Sequence, residues 1–236
     1  MLRTSGRTRT HLWQKCVTST FRTAAMVMRG LYQTHGQIWT LVIPKIDVTP
    51  DLFTVDEGSR LLEQGALRLD WTCYEPERQQ VALTAIGAYQ LEEVIKASER
   101  LRERQAPHSV VYMLEPGRFR RSRSNGESAH IAASRLREDL YPEFAKARVF
   151  VTHTRPEVVI GTLQSLNTGN DRTGALGYIN HGGILNVPGM LFVNRCAWAH
   201  ILEETARALS TSRGALLTAP ELAALDGKVC PEGVII

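Results

Sequence analysis

The sequence predicts an α/β fold with three layers, in which helices cover both faces of a mixed, mainly parallel β-sheet. Short apolar segments that are typical of buried strands lie at residues 81–86, 109–114, 148–153 and 175–179. Longer segments with apolar residues at helical spacing separate them. This alternation is typical of right-handed βαβ crossovers, which place successive strands parallel, and we also expect an antiparallel strand at one edge.

The helices are predicted from the spacing of their apolar residues and from signals at their ends. Residues 91–104 carry apolar side chains on one face and charged side chains on the other. Further helices are expected at residues 126–140, at 156–166, at 190–209, which is the longest, and at 218–225, which Thr218 caps.

The region before the first buried strand has elements of its own. Residues 38–43 alternate between apolar and polar side chains and predict a strand. Thr54 and Glu57 have the spacing of a capping box, and Gly65 is placed to end the helix that they begin. Residues 67–71 predict a short edge strand.

Positive charge is concentrated near the N-terminus. Residues 1–46 hold seven basic residues and no acidic residue, so the rest of the chain is acidic on balance although the net charge is +4. Residues 1–30 are rich in Arg, Ser and Thr, and we expect a poorly ordered basic head there. Two interpretations of the head remain open: an organelle transit peptide, or the remnant of a preceding domain that follows from a mispredicted or truncated start.

Composition excludes several classes of protein. Hydrophobic residues make up 43% and charged residues 22% of the 236 residues, which is ordinary for a globular chain and excludes extended disorder. Four widely spaced cysteines without a C-x-x-C pair favour reduced thiols in a cytoplasmic protein over a zinc or redox motif. No apolar run approaches ~18 residues, so we expect no segment that spans a membrane.

Two positions at the ends of predicted strands are candidates for ligand contacts. Gly87 lies between a buried strand and a helix, where free backbone amides bind an anion or where glycine permits a tight turn. His153 follows a predicted parallel strand, where open α/β sheets contact ligands, or else it caps the next helix. His181 and His200 are weaker candidates, and we expect His200 to be a packed or interface residue.

One loop is rich in arginine, with Phe119 among Arg118, Arg120, Arg121 and Arg123. A solvated loop is favoured over a contact with phosphates or nucleic acid, because the surrounding body is acidic on balance. The sequence shows no H-E-x-x-H motif, no paired-carboxylate constellation and no Ser/His/Asp order. We therefore assign no catalytic, cofactor-binding or metal-binding residue from spacing.

Several segments resemble a known family. IWTLVIPK at residues 38–45 and TVDEGSRLLEQGALRLDW at 54–71 resemble the end of the middle domain and the linker of phosphoketolases. VALTAIGAYQLEEVIKASERLRERQAPHSVVYMLEPGRF at 81–119 is similar to the opening βαβ unit of the transketolase C-terminal domain. RVFVTHTRPE at 148–157 and the segment 174–209 resemble the phosphoketolase C-terminal region, and the whole pattern is most similar to xylulose 5-phosphate 3-epimerase-like relatives.

The resemblance implies a domain that does not hold the cofactor. The family binds thiamine diphosphate and Mg²⁺ through a GDG…N segment and a middle domain, and this sequence contains no GDG. The resemblance divides the chain into a junction from a preceding domain at 31–80, a transketolase C-terminal-like domain at 81–210, and a short helical tail at 211–236. We expect no cofactor in this chain alone.

The resemblance also indicates two substrate-binding candidates. Lys45 matches a phosphoketolase lysine that ends a strand and helps to bind the substrate phosphate, a role that suits its point charge; a solvent-exposed lysine is the alternative. His153 matches a histidine at the corresponding strand end. For the chain on its own, we expect at most an indirect contact with a phosphorylated sugar.

The implied function is that of the C-terminal domain of a thiamine diphosphate-dependent transketolase or phosphoketolase-type enzyme that acts on xylulose 5-phosphate. We expect the chain to be inactive alone and to work with thiamine-binding domains of the same or a neighbouring polypeptide. The alternatives are a stand-alone interaction subunit of a split transketolase-like enzyme and, less favoured, a nucleic-acid binder that uses the arginine loop.

Aromatic residues without an evident partner predict self-association as a homo-oligomer. Trp39, Phe53 and Trp71 lie in the junction, and Phe192 lies in the predicted helix 190–209. We expect these side chains to be uncovered on the isolated chain, a property that usually marks an interface. The alternative is that the N-terminal 80 residues fold back and cover them.

Overall fold

A computed structural model describes residues 52–179 and 184–236, the positions Ala25 and Met28, and the backbone of two earlier strands. These strands, β1 (Leu12–Val17) and β2 (Gln37–Val42), pair in parallel with Leu12 opposite Gln37. The strand expected at residues 38–43 is confirmed. Apart from these positions, the expected poorly ordered head lies outside the described residues.

The main sheet has five strands in the order β3-β5-β4-β6-β7, and β3 alone runs antiparallel to its neighbour. This confirms the predicted α/β class, the mainly parallel sheet and the antiparallel edge. The strands are β3 (Ala66–Arg68), β4 (Val81–Ile86), β5 (His108–Met113), β6 (Ala147–Thr152) and β7 (Thr173–Leu176).

Helices connect these strands and follow the last of them. They are α1 (Val55–Gln64), α2 (Ala88–Glu103), α3 (Asn125–Ser128), α4 (Ser134–Leu140), α5 (Pro156–Thr162), α6 (Val187–Val193), α7 (Trp198–Ala208), α8 (Arg213–Leu216) and α9 (Ala219–Leu225). Short 3-10 turns lie at Pro76–Arg78, Pro116–Phe119 and Gln164–Leu166.

Each face of the sheet carries its own hydrophobic core. On one face, α1, α2, α7 and the C-terminal helices pack through residues such as Leu61, Leu91 and Ile201. On the other face, Phe150 packs against Phe119, α4 and α5. The result is the predicted arrangement of three layers, to which residues 52–80 contribute α1 and β3.

The chain reverses its direction across the sheet at β4. It passes from β4 to β5 on one side and later returns to place β6 on the other side of β4. The connections after β4 and β6 therefore leave toward opposite faces, because α2 packs in one core and α5 in the other. Such a reversal opens a crevice between the carboxyl ends of the two strands.

The predicted helix ends at Thr54, Gly65 and Thr218 are confirmed. The Thr54 side chain accepts a hydrogen bond from the Glu57 amide at 3.2 Å, and the Glu57 carboxylate accepts one from the Thr54 amide at 2.8 Å. Gly65 ends α1 in the left-handed region, with φ 79°. A second capping box joins Thr218 and Glu221 at the start of α9.

The prediction of a single long helix at residues 190–209 is wrong. Two helices, α6 and α7, replace it, and α2 is the longest helix among the described residues. The Asn194 side chain donates to the Met190 carbonyl and accepts from the Ile179 amide, and Arg195 follows with φ 57°. These contacts with the segment after β7 end α6, an outcome that helical periodicity does not report.

The helix expected at residues 126–140 is also interrupted. It divides into α3 and α4, because the Ala132 amide donates to the Arg118 carbonyl and the Ala132 carbonyl accepts from the Arg137 guanidinium. The helix expected at 156–166 ends as α5 at Thr162 and continues only as a 3-10 turn.

The expected exposure of aromatic side chains is correct only in part. Phe53 is buried and stacks on Tyr112 with ring centroids 5.5 Å apart. Phe192 is half-buried and meets His200 edge-to-face, whereas Trp71 is 48% exposed. The side chain of Trp39 lies outside the described residues.

A carboxylate from α2 caps the N-terminus of α7. The residue that precedes α7, Ala197, has no side chain that could accept a hydrogen bond. The buried Glu93 carboxylate instead accepts from the Trp198 amide at 2.7 Å and from the Lys96 ammonium at 2.6 Å. Glu93 thereby joins the two helices that cover one face of the sheet.

We predict that Glu93→Leu lowers the free energy of unfolding by about 2 kcal/mol, because it leaves the buried Trp198 amide without its acceptor. Glu92→Leu is the matched control on the same helix; its side chain is 41% exposed and pairs with Lys96 at 3.5 Å. We expect that control to cost less than about 0.5 kcal/mol. Urea unfolding followed by circular dichroism measures both, and equal losses would contradict the assignment of Glu93 as a cap.

Candidate functional site

The carboxyl ends of the parallel strands bring four polar features to one edge of the sheet. Gly87 and the first turn of α2 follow β4, and Glu115 follows β5. His153 follows β6, and Tyr178 lies two residues beyond β7. This is the edge at which open α/β sheets bind ligands.

Gly87 is required by the close approach of its neighbours at the β4–β6 crevice. Its φ of 128° is in the region that favours glycine. A Cβ atom at this position would lie 2.2 Å from Gln90 Oε1 and 3.3 Å from His153 Cβ. The tight-turn interpretation of Gly87 is therefore confirmed, and the turn brings α2 and the end of β6 together.

His153 lies where the sequence places it, at the carboxyl end of β6 and against the end of β4. Its backbone amide donates to the Ile86 carbonyl at 3.1 Å, and its ring Nδ1 lies 3.1 Å from the same oxygen. The half-buried ring is thus held at the crevice. The other substrate-binding candidate, Lys45, and the weaker candidate His181 lie outside the described residues.

His200 is a packing residue, as expected. It is buried on α7, with its ring centroid 4.9 Å from that of Phe192. Burial, with a smaller contribution from the Arg195 charge, lowers the pKa of His200 to about 4. The ring is therefore neutral at physiological pH.

Glu115 is a buried carboxylic acid at the end of β5. It is 4% exposed, and one of its oxygens lies 3.2 Å from Arg118 Nε. Burial raises the pKa of Glu115 to about 7, against the opposing charges of Arg118 and Arg120. The carboxyl group therefore changes its protonation state near neutral pH.

The arginine loop directs most of its charge to groups of the same chain. Arg118 donates to the carbonyls of Leu62 and Glu63 in α1. Arg120 and Arg123 both pair with Glu127, at 3.4 Å and 2.6 Å. Of the four arginines, Arg121 and Arg123 are exposed at the surface. The favoured interpretation, a solvated loop, fits these ion pairs better than a phosphate-binding array does.

The described residues offer no cluster of metal ligands, and one of their free thiols is buried. In the described ranges, no group of three or more His, Cys, Asp or Glu side chains is placed to hold a metal ion. Burial raises the pKa of the Cys196 thiol to about 12, so it stays protonated. No helix in the described part of the chain is both long and apolar enough to cross a bilayer.

Sequence reasoning missed two polar residues at this edge, Gln90 and Tyr178. Gln90 is 1% exposed, and its side chain turns back over Gly87. The Tyr178 amide donates to the Thr154 carbonyl at 3.0 Å, which holds the segment after β7 beside the end of β6. The position of Gln90, three residues beyond a strand-ending glycine, is the one signal that the sequence offered. The edge as a whole combines helix amides, a side-chain amide, an imidazole and a phenol, which suits it to bind a polar group.

No family model and no curated protein matches the sequence. Solved structures of transketolases do match it. The transketolase from Leishmania mexicana superposes with a TM-score of 0.61 at 14% sequence identity, over 84% of this chain and 25% of that chain. A transketolase variant from Pichia stipitis gives a TM-score of 0.59 at 10% identity, over 88% of this chain and 27% of that chain.

The fold is that of a transketolase C-terminal domain. A split-gene transketolase, described as an inactive beta4 tetramer, has the same fold over 84% of this chain and 58% of that chain, with a TM-score of 0.55 at 13% identity. The chain therefore spans about a quarter of the two transketolases above and somewhat more than half of the split-gene chain. At these identities the likeness concerns the fold.

We predict that Glu115→Gln removes a pH dependence of stability. The folded carboxyl has a pKa of about 7, above the usual 4.5, so between these values the folded state holds a proton that the unfolded state has lost. Stability of the natural protein therefore falls as pH rises through this window, by up to about 3 kcal/mol. The variant cannot ionise, so its stability relative to the natural protein should rise between pH 5 and pH 8, roughly the limits of that window.

Urea unfolding at several pH values measures the difference. Glu127→Gln is the matched control, because Arg123 holds the pKa of the Glu127 carboxyl at about 2 and this group does not titrate in the window. If the stability of Glu115→Gln relative to the natural protein does not rise between pH 5 and pH 8, the ion pair with Arg118 outweighs burial and the explanation is wrong.

Proposed function

We propose that the chain serves as the C-terminal domain of a thiamine diphosphate-dependent transketolase or phosphoketolase-type enzyme. The enzyme would act on xylulose 5-phosphate in the pentose phosphate metabolism of the cytoplasm. The observation that carries this proposal is the fold, which superposes on solved transketolases over 84% or more of this chain with TM-scores up to 0.61. The segments that resemble phosphoketolases and their epimerase-like relatives support the finer assignment.

The cofactor belongs, in this proposal, to other domains. The described residues include no cluster of ligands that fits the Mg²⁺ ion of a bound diphosphate. We therefore assign thiamine diphosphate and Mg²⁺ to thiamine-binding domains of the same or a neighbouring polypeptide, and no step of the chemistry to this chain. The role of the described domain is to stabilise the assembly beside the substrate entrance.

A split enzyme is the alternative arrangement. One matched structure is a split-gene transketolase, described as an inactive beta4 tetramer, and this chain superposes on 58% of it. By analogy, we propose that the chain is a stand-alone subunit that is inactive until it meets a separately encoded thiamine-binding partner. Lys45 and His153 remain our candidates for contact with the substrate phosphate in that complex.

Exposed apolar residues beside β7 support association with another chain. We define the β7 patch as six such residues on α5, on the segment after β7 and on α6: Val158, Ile160, Ile179, Ile184, Leu185 and Val193. The Ile179 amide donates to the Asn194 side chain, and Gly177 lies against the start of α5, so these elements adjoin one another. Exposed apolar residues that gather around an edge strand are typical of an interface.

We expect the purified chain to be inactive toward xylulose 5-phosphate when thiamine diphosphate and Mg²⁺ are supplied. The physical reason is that the sequence contains no GDG, part of the segment through which the resembled family binds the diphosphate and Mg²⁺. A coupled assay that detects either glyceraldehyde 3-phosphate or acetyl phosphate measures the product of each reaction. Turnover that depends on thiamine diphosphate would refute the assignment of the chain as a domain without cofactor.

We also expect the chain to self-associate at micromolar concentration through the β7 patch. The double variant Val158→Ser and Ile160→Ser should shift the protein toward monomer, because it removes apolar area from side chains that are 58% and 39% exposed. Phe144→Ser is the matched control. Phe144 is 55% exposed, but it lies just before β6, at the end of the sheet where the parallel strands begin. Light scattering decides: a monomeric natural protein, or an equal effect of the control, would contradict the assignment.

A further inference from the structure

We propose that protonation of Glu115 decides which group the Arg118 guanidinium binds. It binds the C-terminal carbonyls of α1 when Glu115 is protonated, and the Glu115 carboxylate when Glu115 is ionised. The junction between α1, the end of β5 and the arginine loop is then a pH-sensitive switch. This inference goes beyond the function proposed above, because it concerns residues of the described domain alone and requires no partner chain.

Gly65 joins the end of α1 to the end of β5. Its carbonyl accepts hydrogen bonds from the Leu114 and Glu115 amides, both at 2.9 Å. A Cβ atom at Gly65 would lie 2.7 Å from Arg118 Cδ and 3.4 Å from Glu115 Cβ, so both side chains pack directly on this glycine. The carboxyl group and the guanidinium are therefore held together against the last turn of α1.

The end of α1 takes its positive charge from Arg118. The last turn of the helix contains no basic residue of its own. Arg118 Nη1 donates instead to the Glu63 carbonyl and, at 3.5 Å, to the Leu62 carbonyl. The last carbonyls of a helix have no amide partner within it and form the negative end of the helix dipole. A guanidinium at this position therefore stabilises the last turn.

Glu115 competes with α1 for the same guanidinium. One carboxyl oxygen lies 3.2 Å from Arg118 Nε, but this nitrogen makes no hydrogen bond to a described residue. That geometry suits a neutral carboxyl, which leaves the guanidinium to the helix carbonyls. A buried carboxylate requires a charged hydrogen-bond donor, so ionisation favours rotation of the guanidinium toward Glu115 and away from α1.

The charges around Glu115 place this exchange near neutral pH. Among the described residues, the charged groups that act on the carboxyl are Arg118 and Arg120, whereas α1 presents backbone carbonyls to it. The Arg120 side chain is itself held by the Gly117 carbonyl and, at 3.4 Å, by Glu127. Burial outweighs both positive charges and raises the pKa of Glu115 to about 7. A rise of pH through this value should therefore ionise Glu115, draw Arg118 away and loosen the last turn of α1.

The test is a pH titration of the full chain, followed by NMR from about pH 5.5 to about pH 8.5, on either side of the pKa of Glu115. Backbone amides at residues 62–66 and 115–120 should shift together with one midpoint near pH 7. Hydrogen exchange in the last turn of α1, corrected for its intrinsic pH dependence, should be about fivefold faster above the midpoint than below it, because the turn loses its charged partner.

Two variants separate the two halves of the switch. Glu115→Gln should remove the step and keep the last turn of α1 protected at every pH, because the new side chain does not ionise. Arg118→Gln should break the coupling between the two segments. Residues 115–120 should still titrate, with a raised midpoint because the carboxylate has lost a positive charge, while residues 62–66 no longer follow.

Two further variants are matched controls, and both should retain the step. Glu127→Gln removes another acid of the same region, whose pKa Arg123 holds at about 2. His130→Gln removes the histidine that is nearest to the arginine loop in sequence.

Three results would overturn the switch. They are the absence of a shared midpoint in the natural protein, a step that persists in folded Glu115→Gln, and a titration of residues 115–120 without a response at residues 62–66. The first and third readouts use the natural protein alone, so a failure of Glu115→Gln to fold does not remove the test.

Discussion

Strand β4 is the element on which the rest of the structure depends. All six of its residues are buried, and it pairs in parallel with β5 on one side and β6 on the other. Its alternate residues contribute to both hydrophobic cores, Leu83 to one and Ala82 to the other. Because the chain reverses direction at β4, the connections after β4 and β6 diverge and leave the crevice that Gly87, Gln90 and His153 line.

The layer above one face of the sheet is held by buried polar contacts as well as by apolar packing. Glu93 caps α7 from α2, and the Trp198 indole donates to the Ile235 carbonyl at 3.0 Å. Arg100 lies over the Trp198 ring and pairs with Glu221 at 3.0 Å, which joins α2 to α9. These contacts hold the C-terminal residues against the domain. The short helical tail that the sequence predicts at residues 211–236 therefore packs on α7. They also explain why that helix exposes less apolar surface than its sequence suggests.

The sequence predicted the sheet well because a strand that is buried on both faces is specified by its own short run of apolar residues. A run such as residues 81–86 has few alternatives, and a capping box at Thr54 or Thr218 specifies a helix start by itself. The break between α6 and α7 was not predictable in this way, because Asn194 ends α6 through a contact with Ile179, which is distant in sequence. The spacing of apolar residues along a helix gives no information about such a contact.

The candidate site, like the fold, was predictable from the sequence only in part. The positions of Gly87 and His153 follow from strand ends that the sequence shows, so their meeting at one edge was predictable. The burial of Glu115 and Gln90 depends on residues that pack over them from several elements, and no short pattern encodes it. For the same reason, the raised pKa of the Glu115 carboxyl and the burial of the Gln90 amide became visible only in three dimensions.

We propose that this chain is a transketolase-type C-terminal domain that completes a thiamine-dependent enzyme without holding the cofactor. The most direct test mixes the purified chain with the thiamine-binding polypeptide encoded in the same genome and measures both complex formation and ketol transfer from xylulose 5-phosphate. The account predicts a stoichiometric complex whose activity neither component has alone. A thiamine-binding polypeptide that is fully active without the chain, or that forms no complex with it at micromolar concentration, would contradict the account.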